Sequence, residues 1–130
     1  MVNKSALGMK IMVVDDDEIM LNALYLCLTR AGYQTVTVTD GIKALEIFNA
    51  GKNFDLIISD IMMPGLSGFT LLDTIRNMAK DSVPVILISS LDKAKTISSR
   101  LDLKADDIIV KPIDFDKLLL KISSLLGLSN

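Results

Sequence analysis

Five short apolar runs, separated by stretches of helical periodicity, constrain this chain more than any other feature. The runs are Ile11-Met12-Val13-Val14, Thr35-Val36-Thr37-Val38, Leu56-Ile57-Ile58, Val85-Ile86-Leu87-Ile88 and Ile108-Ile109-Val110. Each is too short for a helix, mostly β-branched, and bounded by polar or turn residues, so each reads as a strand. The stretches between them repeat apolar residues at helical spacing. Residues 18–31 carry Met20, Ala23, Leu24 and Cys27, with Gly32 as a stop. Residues 42–50 carry Ala44, Leu45 and Phe48 before Gly51, and residues 69–78 carry Leu71, Leu72 and Ile75. Residues 115–126 carry Leu118, Leu119, Ile122 and Leu125 behind Asp114, a natural N-cap. Residues 91–103, with Ala94, Ile97 and Leu101, form the weakest of the five helical patterns.

Strands alternating with helices predict an α/β fold with a parallel sheet. The first, third and fourth runs are continuously apolar, as strands covered on both faces must be, whereas the second alternates threonine with valine and suits an edge. An order of 2-1-3-4-5 puts the three most apolar strands inside; 3-2-1-4-5 would leave the third at the rim. The expected architecture is therefore a flavodoxin-like, doubly wound (βα)5 sandwich. Its ligand crevice lies beyond the carboxyl ends of strands one and three, where the winding reverses.

Composition narrows the chemistry. The 130 residues include 14 basic and 16 acidic side chains, no histidine and one cysteine, Cys27. The length predicts a single domain over residues 1–130, with its core at about 10–126 and no output domain. Zero histidines exclude serine and cysteine triads that use histidine, and any His-ligated zinc. The lone cysteine suits a reducing cytoplasm. A net charge of −2 gives no footprint for nucleic acid. No apolar run reaches the ~18 residues that span a bilayer, and residues 1–10 do not read as a signal peptide.

What stands at the crevice is acidic. Strand one runs into Asp15-Asp16-Asp17-Glu18 and strand three into Ser59-Asp60. With strands ~4.8 Å apart, Asp15 or Asp16 must approach Asp60. Two carboxylates ~4 Å apart repel by about 4 kcal/mol at an effective dielectric near 20. Helix capping, worth ~0.3–1 kcal/mol, accounts for Asp17 and Glu18 but not for three acids converging from two strands. A divalent cation and a fixed positive charge can offset the repulsion. Few carboxylates with water positions to spare suit Mg²⁺. Lys111 after strand five can supply the positive charge, and Ser89 after strand four adds a hydroxyl. Four acids where phosphate-binding folds carry a glycine-rich loop argue against direct nucleotide or flavin binding.

These residues resemble the receiver domain of two-component response regulators from Lys10 to about Leu126. The motifs are Val13-Val14-Asp15-Asp16-Asp17, the segment from Asp55-Leu56-Ile57-Ile58-Ser59-Asp60 through Ile61-Met62-Met63-Pro64-Gly65-Leu66-Ser67-Gly68, Ile88-Ser89-Ser90, and Val110-Lys111-Pro112. The resemblance implies that Asp60 is the phosphoacceptor. It implies that Asp16 holds Mg²⁺ directly and Asp15 partly through water, with the Met62 backbone carbonyl completing the protein ligands. Ser89 and Lys111 would bind phosphoryl oxygens. The donor would be a phosphohistidine on a sensor histidine kinase or a histidine phosphotransfer protein. Such a chain catalyses only its own phosphorylation and autodephosphorylation. The new charge, roughly −1.5 to −2, would pull Ser89 and bias residues 91–103. The face built from that helix, the fifth strand and residues 115–126 would carry partner binding or a phosphorylation-dependent homodimer. Direct nucleic acid and membrane partners are not expected, and the downstream target or covalent output domain is not written in the residues.

Three departures stand out. Ile108 occupies a strand-five position that is often aromatic in the family, Lys104-Ala105 replaces a common Gly-Ala pair, and Ser89 replaces the more frequent threonine. Met62 and Leu91 bring apolar side chains that cannot orient an attacking water, which predicts slow self-dephosphorylation, readable as a long-lived phosphorylated form. Two other classes compete. One is a haloacid-dehalogenase-type phosphatase with Asp15 as nucleophile, for which the chain is short and lacks a cap. The other is a phosphorylation-independent adaptor of the same fold, against which the intact acid set argues.

Overall fold

The computed structural model describes residues 6, 8–51, 53–78, 81–90 and 104–128. Its strands are β1 (Lys10–Val14), β2 (Gln34–Val38), β3 (Leu56–Asp60), β4 (Val85–Ser89) and β5 (Asp107–Val110). All pair in parallel, in the order β2-β1-β3-β4-β5. The winding expected from composition is the one observed, and burial explains it. Every residue of β3 and β4 is buried, while the edge strand β2 has only Val38 buried and β5 is half-buried throughout.

Helices cover both faces. On one, α1 (Glu18–Arg30) and α4 (Phe115–Leu126) place Leu21, Leu24, Leu28, Leu118 and Ile122 over Ile11, Val13, Ile58, Ile86 and Ile88. On the other, α2 (Gly41–Asn49) and α3 (Gly68–Asp73) place Ala44, Leu71 and Leu72 over Met12, Val14, Ile57 and Leu87. Because the strands alternate their side chains, each apolar run feeds both cores at once.

Caps mark the helix boundaries. Asp17, Asp40, Ser67 and Asp114 each accept a backbone N–H of the first turn of their helix. Gly32 follows α1 at φ 101°, where Tyr33 N–H reaches back to the Leu28 carbonyl.

Two expectations are corrected. The buried stripe of α1 is Leu21, Leu24 and Leu28, whereas Met20, Ala23 and Cys27 are only half-buried, so the helix is rotated from the predicted face. The helix expected over 69–78 is α-helical only to Asp73 and widens into a π-turn over Thr74–Met78. There the Thr74 hydroxyl bonds the Thr70 carbonyl, and Arg76 is drawn toward the loop before β5. The helix expected over 91–103 lies outside the described residues. Among the described residues no helix is long and apolar enough to cross a membrane.

Candidate functional site

Sheet register assembles the site. Val14 pairs with Ser59, so the residues that follow, Asp15 and Asp60, leave neighbouring strands side by side. Asp60 pairs with Ile88, and Ser89 with Val110, which steps Ser89 and then Lys111 around the same rim. Backbone bonds fasten these strand ends: Asp15 N–H to Val38 O at 3.1 Å, Ile61 N–H to Ile88 O at 3.0 Å, and Lys111 N–H to Ser89 O at 2.8 Å. The Lys111–Pro112 peptide is cis.

Carboxylate oxygens of Asp15, Asp16 and Asp60 all lie within 4.8 Å of one another. The sequence left open which of the first two approaches Asp60, and both do. Asp15 is fully buried and Asp60 is 7% exposed, while Asp16 faces solvent. Asp17 stands outside this cluster, capping α1 through bonds from Ile19 N–H at 3.0 Å and Met20 N–H at 3.4 Å. Glu18 sits in the first turn, so capping accounts for these two acids, as expected. Lys111 Nζ lies 3.7 Å from Asp15 Oδ2 and 3.8 Å from Asp60 Oδ2. One ammonium against three carboxylates leaves the rim negative.

The electrostatics follow from burial. Desolvation, ahead of every other influence, pushes the Asp15 carboxyl up to about 6; the Asp17 N–H, 2.9 Å from Oδ1, opposes the rise and the Asp60 charge adds to it. Asp60 is also raised, first by burial, against the pull of Lys111 and of the Ile61 and Met62 backbone N–H groups. Asp15 Oδ2 is buried and has no hydrogen-bond donor among the described residues. An orphaned carboxylate oxygen inside a negative, all-oxygen donor set fits a hard divalent cation with water in its remaining positions.

The other sequence candidates are placed as follows. Ser89 is buried on β4, its hydroxyl donating to the Ser90 carbonyl at 3.0 Å. Met62 lies in the loop after Asp60 and is 61% exposed. Leu91 lies outside the described residues. Ile108 packs against the core on the α2–α3 face. Sequence reasoning missed the Asp17, Ile61 and Met62 amides, since backbone donors carry no side-chain signature. It also gave no role to Gly68, although a glycine opening a helix signals close backbone approach.

Comparison with known proteins agrees with this fold. A family model described as the response regulator receiver domain matches residues 11–123. Regulator of RpoS of Escherichia coli K12 is 36% identical over 106 residues, which is 82% of this chain but 31% of that protein. Transcriptional regulatory protein CseB of Streptomyces avermitilis is 34% identical over 116 residues, 89% of this chain and 48% of that protein. The chain thus spans about half or less of these curated relatives. Among solved structures, the receiver domain of the Francisella response regulator 1452 superposes with a TM-score of 0.84 at 32% identity, covering 92% of this chain and 98% of that one. TrrA from Thermotoga maritima, solved in complex with Mg²⁺ and BeF, gives a TM-score of 0.78 at 36% identity over 90% of this chain and 98% of that one. A matching family model over nearly the whole chain, relatives above 30% identity and the same fold establish that this chain belongs to the response regulator receiver domain family.

Proposed function

We propose that the chain is the phosphoacceptor of a two-component relay, receiving a phosphoryl group on Asp60 from a phosphohistidine of a sensor histidine kinase or histidine phosphotransfer protein. The observation that carries this reading is the convergence of Asp15, Asp16 and Asp60 within 4.8 Å beside Lys111, with one buried Asp15 oxygen left without a donor. Asp15, Asp16, Asp60 and the Met62 carbonyl would hold Mg²⁺. When bound, the ion supplies charge neutralisation at the acids and at the incoming phosphoryl oxygens. An Asp60 carboxylate oxygen forms the O–P bond as the donor's P–N bond breaks, and the electron pair leaves on the imidazole nitrogen, which takes up a proton. Lys111 turns from the acids to a phosphoryl oxygen, and the Ser89 hydroxyl exchanges the Ser90 carbonyl for another. The chain's own contribution is position and charge, which supply most of the catalysis in phosphoryl transfer.

The phosphatase alternative is not favoured. Asp15 has one oxygen bonded to the Asp17 N–H and is fully buried. Asp60 keeps 7% exposure, so it is the acid of the two that an incoming phosphoryl group reaches. The adaptor alternative leaves the orphaned oxygen and the acid cluster without a purpose. Incubation with acetyl phosphate and Mg²⁺, read by intact mass, tests the proposal. Wild type gains one phosphoryl mass, Asp60→Asn gains none, and Asp15→Ala gains it more slowly. Labelling of Asp60→Asn at the wild-type rate overturns the assignment.

A further inference from the structure

Asp60 is held from behind as well as at its carboxylate. Its carbonyl oxygen accepts the Ser59 hydroxyl at 2.9 Å. The backbone of Gly68, first residue of α3, lies against the same peptide. A Cβ on Gly68 would stand 2.4 Å from the Asp60 carbonyl oxygen, 2.9 Å from Ile61 Cα and 3.1 Å from the Asp60 carbonyl carbon. All three are backbone atoms, so no side-chain rotation relieves the contact. The Gly68 N–H also donates to the Ile61 carbonyl at 3.0 Å, closing the loop from Ile61 to Gly68 on itself. Inside that closed loop sits Met62, whose N–H bonds the Asp60 carboxylate.

We infer that Gly68 is a positioning residue for the acid cluster. The bare Cα pressed against the Asp60 peptide sets the Asp60 carboxylate relative to the Met62 carbonyl, and any side chain at position 68 drives the two apart. The inference rests on the phosphoacceptor reading above and deepens it. A displacement near 1 Å is enough to cost about 10²-fold in a reaction that depends on placement. Gly41 offers a matched control. A Cβ there would meet the Leu66 carbonyl oxygen at 2.7 Å and Leu66 Cβ at 2.9 Å, a comparable clash on the same loop but away from Asp60.

The test compares wild type, Gly68→Ala and Gly41→Ala in Mg²⁺ affinity by calorimetry, initial phosphorylation rate with acetyl phosphate, and fold by circular dichroism. Gly68→Ala is expected to bind Mg²⁺ about tenfold or more weakly and to phosphorylate about 10- to 100-fold more slowly. Gly41→Ala is expected to lose stability without a matching loss of Mg²⁺ affinity. A folded Gly68→Ala with wild-type affinity and rate overturns the inference, and so does a Gly41→Ala that loses as much affinity, because general loop damage would then suffice. Where Gly68→Ala does not fold, wild-type amide exchange decides. Mg²⁺ with beryllofluoride must slow exchange of the Gly68 N–H more than that of Gly41; unchanged Gly68 protection overturns the inference. A wild type that gains no phosphoryl group overturns the phosphoacceptor reading alone, and the Mg²⁺ affinities still decide the role of Gly68.

Discussion

Asp15 carries a carboxylate to a place that water does not reach, and the chain gives one of its oxygens no donor among the described residues. The consequence is measurable. Its carboxyl rises from an ordinary 3.8 to about 6, so between those values the folded protein keeps a proton that the unfolded chain has lost. Stability from this group is therefore fully present below pH ~4 and is lost as pH rises through about 6. A tenfold change in a proton-binding constant is worth about 1.4 kcal/mol, so the loss by neutral pH is about 3 kcal/mol. Asp60, also raised by burial, adds a loss of the same sign. Without divalent cations, urea midpoints should fall steadily from about pH 4 to pH 7, and Asp15→Asn should remove most of that slope. A flat wild-type profile would contradict the burial account. Among single residues, the three acids and Lys111 were readable in advance because each stands at or just past the end of a strand, and a parallel sheet brings strand ends together. The direction of the Ser89 hydroxyl was not readable, since a torsion choice between the Ser90 carbonyl and the crevice leaves no trace in composition.

At the scale of elements, the π-turn after α3 ties the opposite end of the sheet together. Arg76 is only 10% exposed at its side chain. Its Nε donates to the Lys104 carbonyl at 3.1 Å, Nη1 to the Asp81 carbonyl at 3.0 Å, and Nη2 to the Asp106 carboxylate at 3.0 Å. The same Asp106 oxygen accepts the Val85 N–H at 2.8 Å, so the starts of β4 and β5 share one carboxylate with the π-turn. Removing Arg76 breaks its bonds to two backbone carbonyls and to the Asp106 carboxylate at once. Arg76→Ala should cost about 2–3 kcal/mol by urea denaturation with the m-value unchanged. Asp106→Ala should cost a similar amount, and the double variant less than the sum. Additive losses would show that the two side chains act separately. The helical periodicity of residues 69–78 predicted a helix, and Leu71, Leu72 and Ile75 are buried as expected, but the widening at Thr74 depends on partners about thirty residues away. The rotation of α1 that buries Leu21 and Leu28 is likewise a result of packing two helices on one sheet face, where α4 takes part of the same area.

For the molecule as a whole, the sheet divides two apolar cores whose strands end in the acid cluster, so filling that cluster acts on the stability of the entire fold. A ligand that binds only the native state stabilises it by about 2.7 kcal/mol at 100 times its Kd. Mg²⁺ should therefore raise the melting temperature at neutral pH, and the rise should be much smaller in Asp15→Asn and shrink as pH falls through about 6, where Asp15 regains its proton. A magnesium effect that persists unchanged in the variant would place the ion elsewhere. The amino-acid sequence by itself determined the five strands, the 2-1-3-4-5 winding and the meeting of acids at the switch point. Each follows from short-range rules: period-two or continuous apolar runs, edge polarity, and residues one step past a strand. Only the tertiary structure decided which helix faces are buried, the clamp around Arg76, the amides aimed at Asp15 and Asp60, and the seating of Gly68 against the Asp60 peptide. Those depend on ångström-scale separations between backbone atoms of segments distant in the chain, and such separations exist only once the whole sheet has closed around its cores.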